Sequence, residues 1–97
     1  MLDFKDLEWI GLRPTLEESE AKLCGERVER RCVRMEVRIV NTIAHGTHVA
    51  WSVCEHYHRL MVVGQIHLTP GLSPEKAFNE GKRRAVKFAE LWDSLND

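Results

Sequence analysis

The sequence lacks a long hydrophobic run, and it has only three cysteines among its 97 residues. A helix that crosses a bilayer needs about 20 consecutive apolar residues, and no stretch here approaches that length. The opening segment from Met1 to Asp6 also lacks the basic flank and apolar run of a secretory signal. The cysteines, Cys24, Cys32 and Cys54, are odd in number and irregular in spacing, which argues against a disulfide framework. We therefore expect a cytoplasmic protein that makes no membrane contact.

The sequence also lacks the motifs of common enzymes. It has no phosphate-binding loop, no nucleophile elbow and no paired carboxylates at a catalytic spacing. Cys54 and His56 could lie on one side of a strand, but nothing in the sequence marks an orienting third group or an oxyanion hole. We therefore expect no catalytic residues, no cofactor and no enzymatic activity.

What is present is the composition of an ordinary globular domain, with 43% hydrophobic and 30% charged residues. A chain of this length supports one hydrophobic core, so we expect a single domain over residues 1–97. The net charge is -1. Residues 1–20 nevertheless carry six acids and two bases, whereas the remaining residues carry twelve bases and nine acids. Such asymmetry favours either contact between the two parts or two surfaces with different partners.

The acidic segment over residues 1–25 is predicted to be helical. Asp3 could cap a short helix over residues 3–10. Thr15 to Glu18 fits a capping box, which predicts a second helix that ends near Gly25. Residues 16–32 leave three alternatives open: one helix, a helix followed by a loop, or an additional strand.

A period of two begins at Val33 and predicts a sheet over residues 28–68. Its three strands run through Val33–Ile39, Val49–Cys54 and Leu60–Leu68. A register that sets Trp51 opposite Val62 brings every apolar partner of the last two strands to one face.

A long helix is predicted over residues 73–95. Ser73 is a good cap, and Pro74 occupies the favoured first position. Gly81 falls within the apolar stripe, where it would let the helix approach the sheet closely. The expected fold class is therefore α+β: a three-stranded antiparallel sheet, this helix packed on one face, and one or two short N-terminal helices, in the order α-β-β-β-α.

All five histidines fall between His45 and His67, which raises the possibility of a metal site. In the predicted register they separate into two groups, with His48 and His67 at one end of the sheet and His56 and His58 at the other. Neither group has a recognised zinc spacing, so no metal site is expected. A metal-binding or cysteine-dependent site at this cluster stays the third functional hypothesis.

The outer face of the predicted sheet is the favoured functional surface. The centre of this face is more apolar than is usual for a face exposed to water, and charged residues surround it. Protein interfaces have the same arrangement of an apolar centre and a polar rim. We expect a non-enzymatic adaptor or inhibitor that acts by protein–protein contact, of the kind that phages and mobile elements encode. The same surface could also join two copies of the chain in a homodimer. The predicted partner-binding residues are Arg34, Arg38, Met61, Val63 and Gln65. The competing hypothesis is that an N-terminal helix with Phe4, Leu7 and Ile10 covers this face.

The alternative function is nucleic-acid binding through the basic helix and the first strand. The residues that would carry it are Arg30, Arg31, Arg34, Lys82, Arg83 and Lys87. Such binding would weaken steeply with salt, because phosphate contacts release counterions.

The predicted order of elements resembles the double-stranded-RNA-binding domain over residues 46–90. Gly46–His48 is similar to that family's Gly-Pro-x-His loop, and Ser73–Ala77 is similar to the Ser-Lys-Lys-x-Ala opening of its last helix. The phosphate-binding lysines of the family correspond here to Pro74, Glu75 and Phe78. The resemblance therefore implies a topology and does not imply RNA binding.

Overall fold

The computed structural model describes residues 7–30, 32–55 and 59–96. Over these residues the chain forms six strands and one helix. The elements are β1 (Ile10–Leu12), β2 (Thr15–Leu16), β3 (Glu20–Arg30), β4 (Val33–Thr42), β5 (Gly46–Glu55), β6 (Arg59–His67) and α1 (Pro74–Asn96). The strands form one antiparallel sheet in which β3, β4, β5 and β6 are successive neighbours, while β1 and β2 both pair with the outer side of β3.

The predicted three-stranded sheet with N-terminal helices is wrong. Residues 3–6 of the first predicted helix lie outside the described residues, and residues 10–12 form a strand. The second predicted helix is replaced by β2 and the start of β3. The α-β-β-β-α order shared with the double-stranded-RNA-binding domain is therefore not found over the described residues.

The predicted capping box forms a tight β-hairpin instead of a helix start. Glu17 N donates to Glu20 O at 2.7 Å, and Glu20 N donates to Glu17 O at 3.3 Å, which closes the turn between β2 and β3. Beyond the turn, β3 pairs with β4 from Glu20 to Arg30 with one bulge after Lys22. Long-range strand pairing satisfies these backbone groups and outweighs the local helix signal.

The helix α1 packs on one face of the sheet, against β4, β5 and β6. Its start agrees with the prediction, because Lys76 N donates to Ser73 Oγ at 3.2 Å. Among the described residues, no helix has both the length and the apolar character that a bilayer crossing requires. The buried hydrophobic residues between helix and sheet are Val28, Val33, Met35, Val37, Val49, Val53, Ile66, Ala77, Ala85 and Ala89.

Gly81 is the point of closest approach between α1 and the sheet. A Cβ atom at this position would lie 2.9 Å from Cγ1 of Val37 and 3.1 Å from Cγ1 of Val49. Both distances are tighter than ordinary van der Waals contact, so only glycine lets the two valines reach the helix backbone. The close approach predicted at Gly81 is therefore present.

The register between β5 and β6 differs from the predicted one. Trp51 lies opposite Gly64, and Val53 lies opposite Val62. The pairing shifts between Val53 and Cys54, so Met61 is an extra residue on β6. A slip of two residues keeps each side chain on its face, and for that reason the hydrophobic pattern could not detect the error.

The segment before β1 packs on the helix side of the sheet. Leu7 and Trp9 contact the core there. Lys82 forms an ion pair with Glu26 and places its Nζ 5.3 Å from the ring centre of Trp9. Ile10 is 64% exposed. The expectation that an N-terminal helix covers the outer face of the sheet is therefore wrong: Leu7 lies on the helix side, and Ile10 is an exposed strand residue that lies opposite Arg27 on the outer face. Phe4 lies outside the described residues.

Candidate functional site: the open face of the sheet

The face of the sheet opposite α1 is here called the open face. Both hydrophobic clusters lie on the helix side, and among the described residues no helix or further sheet layer covers this one. Strand alternation and the observed register define its side chains. They include Ile10 and Leu12 of β1, Lys22, Arg27 and Glu29 of β3, Arg34, Glu36, Arg38 and Val40 of β4, His48, Ala50, Ser52 and Cys54 of β5, and Leu60, Val63, Gln65 and His67 of β6.

Three arginines surround a single carboxylate at the centre of the open face. Oxygens of Glu36 lie 3.9 Å from Nη1 of Arg27, 4.0 Å from Nε of Arg34 and 3.9 Å from Nε of Arg38. These distances are ion-pair distances and exceed the 2.7–3.2 Å of a protein N–H···O hydrogen bond. The three guanidinium groups thus share one anion without being saturated by it.

The sheet geometry explains why these four side chains meet. Arg34, Glu36 and Arg38 are alternate residues of β4, so they project from the same face. Arg27 lies directly opposite Glu36 on β3. Neighbours on a strand face and directly opposed residues are within reach of long side chains.

Arg34 has the least satisfied guanidinium of the three. Its Nε is enclosed and has no hydrogen-bond acceptor, although the side chain as a whole is 35% exposed. Arg38 donates through Nη1 to the carbonyl oxygen of Arg13 at 3.4 Å, and Arg27 has a second carboxylate, Glu29, at 3.9 Å. The group of three arginines and two glutamates therefore keeps a surplus of one positive charge.

Four of the five predicted partner-binding residues share the open face. Arg38 lies in one row with Ala50 and Gln65, because Arg38 pairs with Ala50 and Ala50 pairs with Gln65. Arg34 lies four residues from Arg38 on β4, on the same face, and Val63 is 60% exposed in the row next to that of Arg38.

Met61 is the exception, and its predicted place on the outer face is wrong. As the extra residue of the bulge, it contacts the helix-side core. There it lines a pocket with Phe88 and Trp92. A bulge residue breaks the alternation on which the prediction depended.

The residues of the nucleic-acid alternative do not form one surface. Arg34 is on the open face, whereas Lys82, Arg83 and Lys87 are on α1 across the sheet. Arg30 lies opposite Val33, in the row of the helix-side core. Arg31 lies outside the described residues.

The basic character of α1 is largely neutralised by internal pairs. Besides the Lys82–Glu26 ion pair, Glu80 accepts hydrogen bonds from Arg83 at 2.6 and 2.8 Å and from Arg84 at 3.1 Å. These hydrogen bonds lower the pKa of Glu80 to about 2, and the same contact raises the pKa of Arg83. The helix thus presents paired charges, as its i, i+3 and i, i+4 spacing predicts.

Three histidines meet at one end of the open face. His48 lies opposite His67, and their ring centres are 5.8 Å apart. His45 in the preceding turn lies 6.3 Å from His48 and 6.1 Å from His67. Within the part of the chain that the structure describes, no group of three donors is arranged to hold a metal ion. His56 and His58 lie outside that part.

His48 is the buried member of this histidine group, at 1% exposure. Its Nδ1 lies 3.0 Å from the carbonyl oxygen of Gly46, which satisfies one ring nitrogen within the same strand. Gly46 itself has a φ of 65°, which is in the region that favours glycine. The turn geometry and the buried ring therefore support each other, which is a structural role for His48.

A cleft of about 470 Å³ lies on the other side of the molecule, between β3 and the first half of α1. Its wall includes Cys24, Ile39 and Phe78. The charged groups that line it include Glu26 and Lys82, which pair with each other. This pairing leaves the cleft a weaker candidate for a charged ligand than the open face.

The chain matches no protein-family model, no curated protein and no solved structure. Sequence reasoning identified Arg34 and Arg38 but missed the role of Glu36 as the shared anion. It also missed Arg27 as the third arginine, because the strand that carries Arg27 was expected to be partly helical.

Proposed function

We propose that this protein is a non-enzymatic binding module that docks an acidic segment of a partner protein on its open face. The observation that carries this proposal is the sharing of Glu36 by Arg27, Arg34 and Arg38 at 3.9–4.0 Å. Binding there would act by occlusion or bridging, as expected of a small adaptor or inhibitor.

The chemistry of the arginines favours a carboxylate ligand. A guanidinium presents five donors in a planar fork, and it forms paired hydrogen bonds with carboxylates. Arg34 Nε has no acceptor, and its contact with Glu36 is too long to supply one. Arg34 Nε is enclosed, but the side chain is 35% exposed, so an incoming carboxylate would bond to the Nη1 and Nη2 groups of the guanidinium and draw charge that Glu36 shares among three arginines.

The composition of the open face favours a protein over a nucleic acid. Glu29 and Glu36 would repel a continuous row of phosphates. Among its described side chains, the face has no Phe, Tyr or Trp on which bases could stack. Its apolar part, with Ala50 beside the exposed Val63, instead suits the centre of a protein interface.

The proposed site of action is the cytosol. The three cysteines all lie within the described residues, and they are unpaired. Unpaired cysteines at unrelated positions are typical of reducing compartments.

Affinity capture from the source cells, with matched variants, tests the proposal. The wild-type chain is compared with the double variant Arg34→Ala, Arg38→Ala and with the helix control Arg83→Ala, Lys87→Ala. Each capture is repeated after nuclease treatment, and the captured proteins are identified by mass spectrometry. We expect one or a few proteins with acidic segments to be lost with the open-face variant and retained with the helix control and after nuclease.

The affinity of an identified partner is then measured by calorimetry against salt concentration. Charge pairs at the rim of an interface weaken as salt screens them. The proposal fails if no captured protein depends on Arg34 and Arg38, or if nuclease removes everything that the open face captures.

A further inference from the structure

The two edges of the sheet are built differently. At one edge, β1 and β2 have three and two residues, with Arg13 and Pro14 between them. Short strands, charges and proline are the features by which proteins protect a sheet edge from further pairing. At the other edge, β6 has nine residues; it contains no proline, and its one arginine, Arg59, is the first residue of the strand, ahead of the run Val62–His67.

The outer side of β6 has no neighbour over the described residues. The sheet order ends at β6, so the backbone groups that point away from β5 are not paired within the sheet. The bulge at Met61 affects only the beginning of the strand, which leaves Val62–His67 as a regular run. Val63 in this run is 60% exposed.

The helix supplies a second, independent sign that the apolar surface continues beyond β6. Phe88, Leu91, Trp92 and Leu95 follow the spacing of one helical stripe. Phe88 and Trp92 pack against the core and line a pocket with β6, whereas Leu91 is 58% and Leu95 is 77% exposed. The stripe therefore extends past the sheet that one copy provides.

We propose that a second copy of this chain pairs with β6, antiparallel, through Val62–His67 of both copies. The twofold axis is perpendicular to the sheet, so both α1 helices lie on the same face of a continuous sheet. This arrangement brings the partner's sheet next to the end of α1 that carries Leu91 and Leu95. It is independent of the ligand proposed for the open face, because that face stays exposed in the dimer.

The side chains of β6 suit pairing with a second copy of the same strand. In a self-pairing strand, residues near the axis face their own copies or near neighbours, and like charges directly opposed destabilise such a pair. Between Val62 and Ile66 the strand has no charged side chain, so pairing with itself brings no like charges together. Twofold pairing also covers the only long unprotected edge among the described strands. No such edge is then left for a third copy, so the assembly closes at two copies.

Sedimentation velocity on the full chain tests the dimer. We expect the wild type to sediment at about twice its monomer mass of 11.3 kDa. In this pairing Val63 faces Gln65 or His67 of the other copy, so Val63→Lys places two like charges on one face, one on each side of the twofold axis, and we expect this variant to sediment as a monomer. Leu16→Lys is the matched control, because Leu16 is 86% exposed on the protected edge, and we expect it to stay dimeric.

Two further measurements keep the test decisive. Circular dichroism must show that Val63→Lys is folded; if it is not, Leu95→Lys, at an exposed position of α1, replaces it and should weaken the dimer at least tenfold. Hydrogen exchange should show amides of Val62–His67 that are slow in the wild type and fast in the monomeric variant. A wild type that is monomeric at every concentration overturns the proposal. So does a dimer that neither variant weakens, or a series of larger oligomers.

Discussion

Trp51 lies directly opposite Gly64 on the neighbouring strand, and its indole ring occupies the space that a side chain at position 64 would need. The ring atoms nearest to that position are Cε2, Nε1 and Cζ2. The absence of a side chain at Gly64 therefore lets the largest residue of β5 lie flat across β6 and beneath the helix. This pair sets the register of the edge strand.

Gly64→Ala should destabilise the protein, because the new methyl group overlaps the Trp51 ring. Inserting a methyl into a packed site costs about 1–3 kcal/mol. Urea denaturation monitored by tryptophan fluorescence measures the change. Gly71→Ala is the control, since a Cβ atom there meets no atom within 4 Å. Equal stability of the two variants would contradict the packing described.

Gly81→Ala should also destabilise, although alanine is the better helix former by about 1 kcal/mol. The new Cβ atom would lie 2.9 Å from Cγ1 of Val37, and overpacking of this kind costs about 1–3 kcal/mol. The steric cost should exceed the gain in helix propensity. Combining Gly81→Ala with Val37→Ala should remove the closest of the two clashes, while Val49 Cγ1 stays 3.1 Å away, so the two substitutions should cost less together than the sum of their separate costs. Thermal melts of the wild type, the two single variants and the double variant measure this.

Glu36→Gln should lower stability by about 1 kcal/mol, because it removes the anion that three arginines share. The remaining guanidiniums then repel one another, and salt screens that repulsion. The stability of the variant should therefore rise with added salt more than that of the wild type. Glu29→Gln, which removes a carboxylate paired with Arg27 alone in the described set, should show a weaker salt effect.

Lys82→Met should destabilise the contact between the N-terminal segment and α1. Lys82 pairs with Glu26, and its Nζ lies 5.3 Å from the ring centre of Trp9 and 5.1 Å from that of Phe78. A double-mutant cycle with Glu26→Gln should give a coupling of about 1 kcal/mol, since neither side chain is fully exposed. Lys87→Met on the exposed side of the helix is the control, and an equal loss there would refute a specific role for Lys82.

Glu80→Gln should make the protein less stable than the wild type near neutral pH. This gap in stability between the two proteins should close as the pH falls. Hydrogen bonds from Arg83 and Arg84 lower the folded-state pKa of Glu80 from 4.5 to about 2. A lowered pKa gives stability that is fully present above 4.5 and is lost as the pH falls toward 2. Thermal melts across that range measure the gap. In a background with Arg83→Ala and Arg84→Ala the gap should disappear.

The most local features of the fold could be predicted. Ser73 caps α1 as expected, since its side chain and Pro74 act on the helix start alone. The strands over Val33–Ile39 and Val49–Cys54 also lie within β4 and β5, because unbroken alternation with one buried face is a strong signal. The same alternation brought Arg34 and Arg38 to one face without further information.

The sequence did not decide the structure of the N-terminal third, because its local and long-range signals disagree. Of the three alternatives left open for residues 16–32, the additional strand is the one that the structure contains, as β3. The bulge after Lys22 interrupts the period of two along β3. In the sequence, Gly25 also predicts the end of a helix. In the sheet it lies opposite Arg38, where a Cβ atom would come within 2.6 Å of the Arg38 side chain. The reason for glycine there is a neighbour 13 residues away in the chain.

The sequence by itself therefore determined which face of each regular strand is apolar, where the final helix begins, and which arginines of β4 stand together. Only the tertiary structure decided that β3 joins the sheet, that Met61 turns to the helix side, and that Arg27 completes the group around Glu36. The physical reason is that side-chain periodicity is a property of neighbours along the chain. Bulges, register and shared ion pairs are fixed by partners that the chain brings together only when it folds.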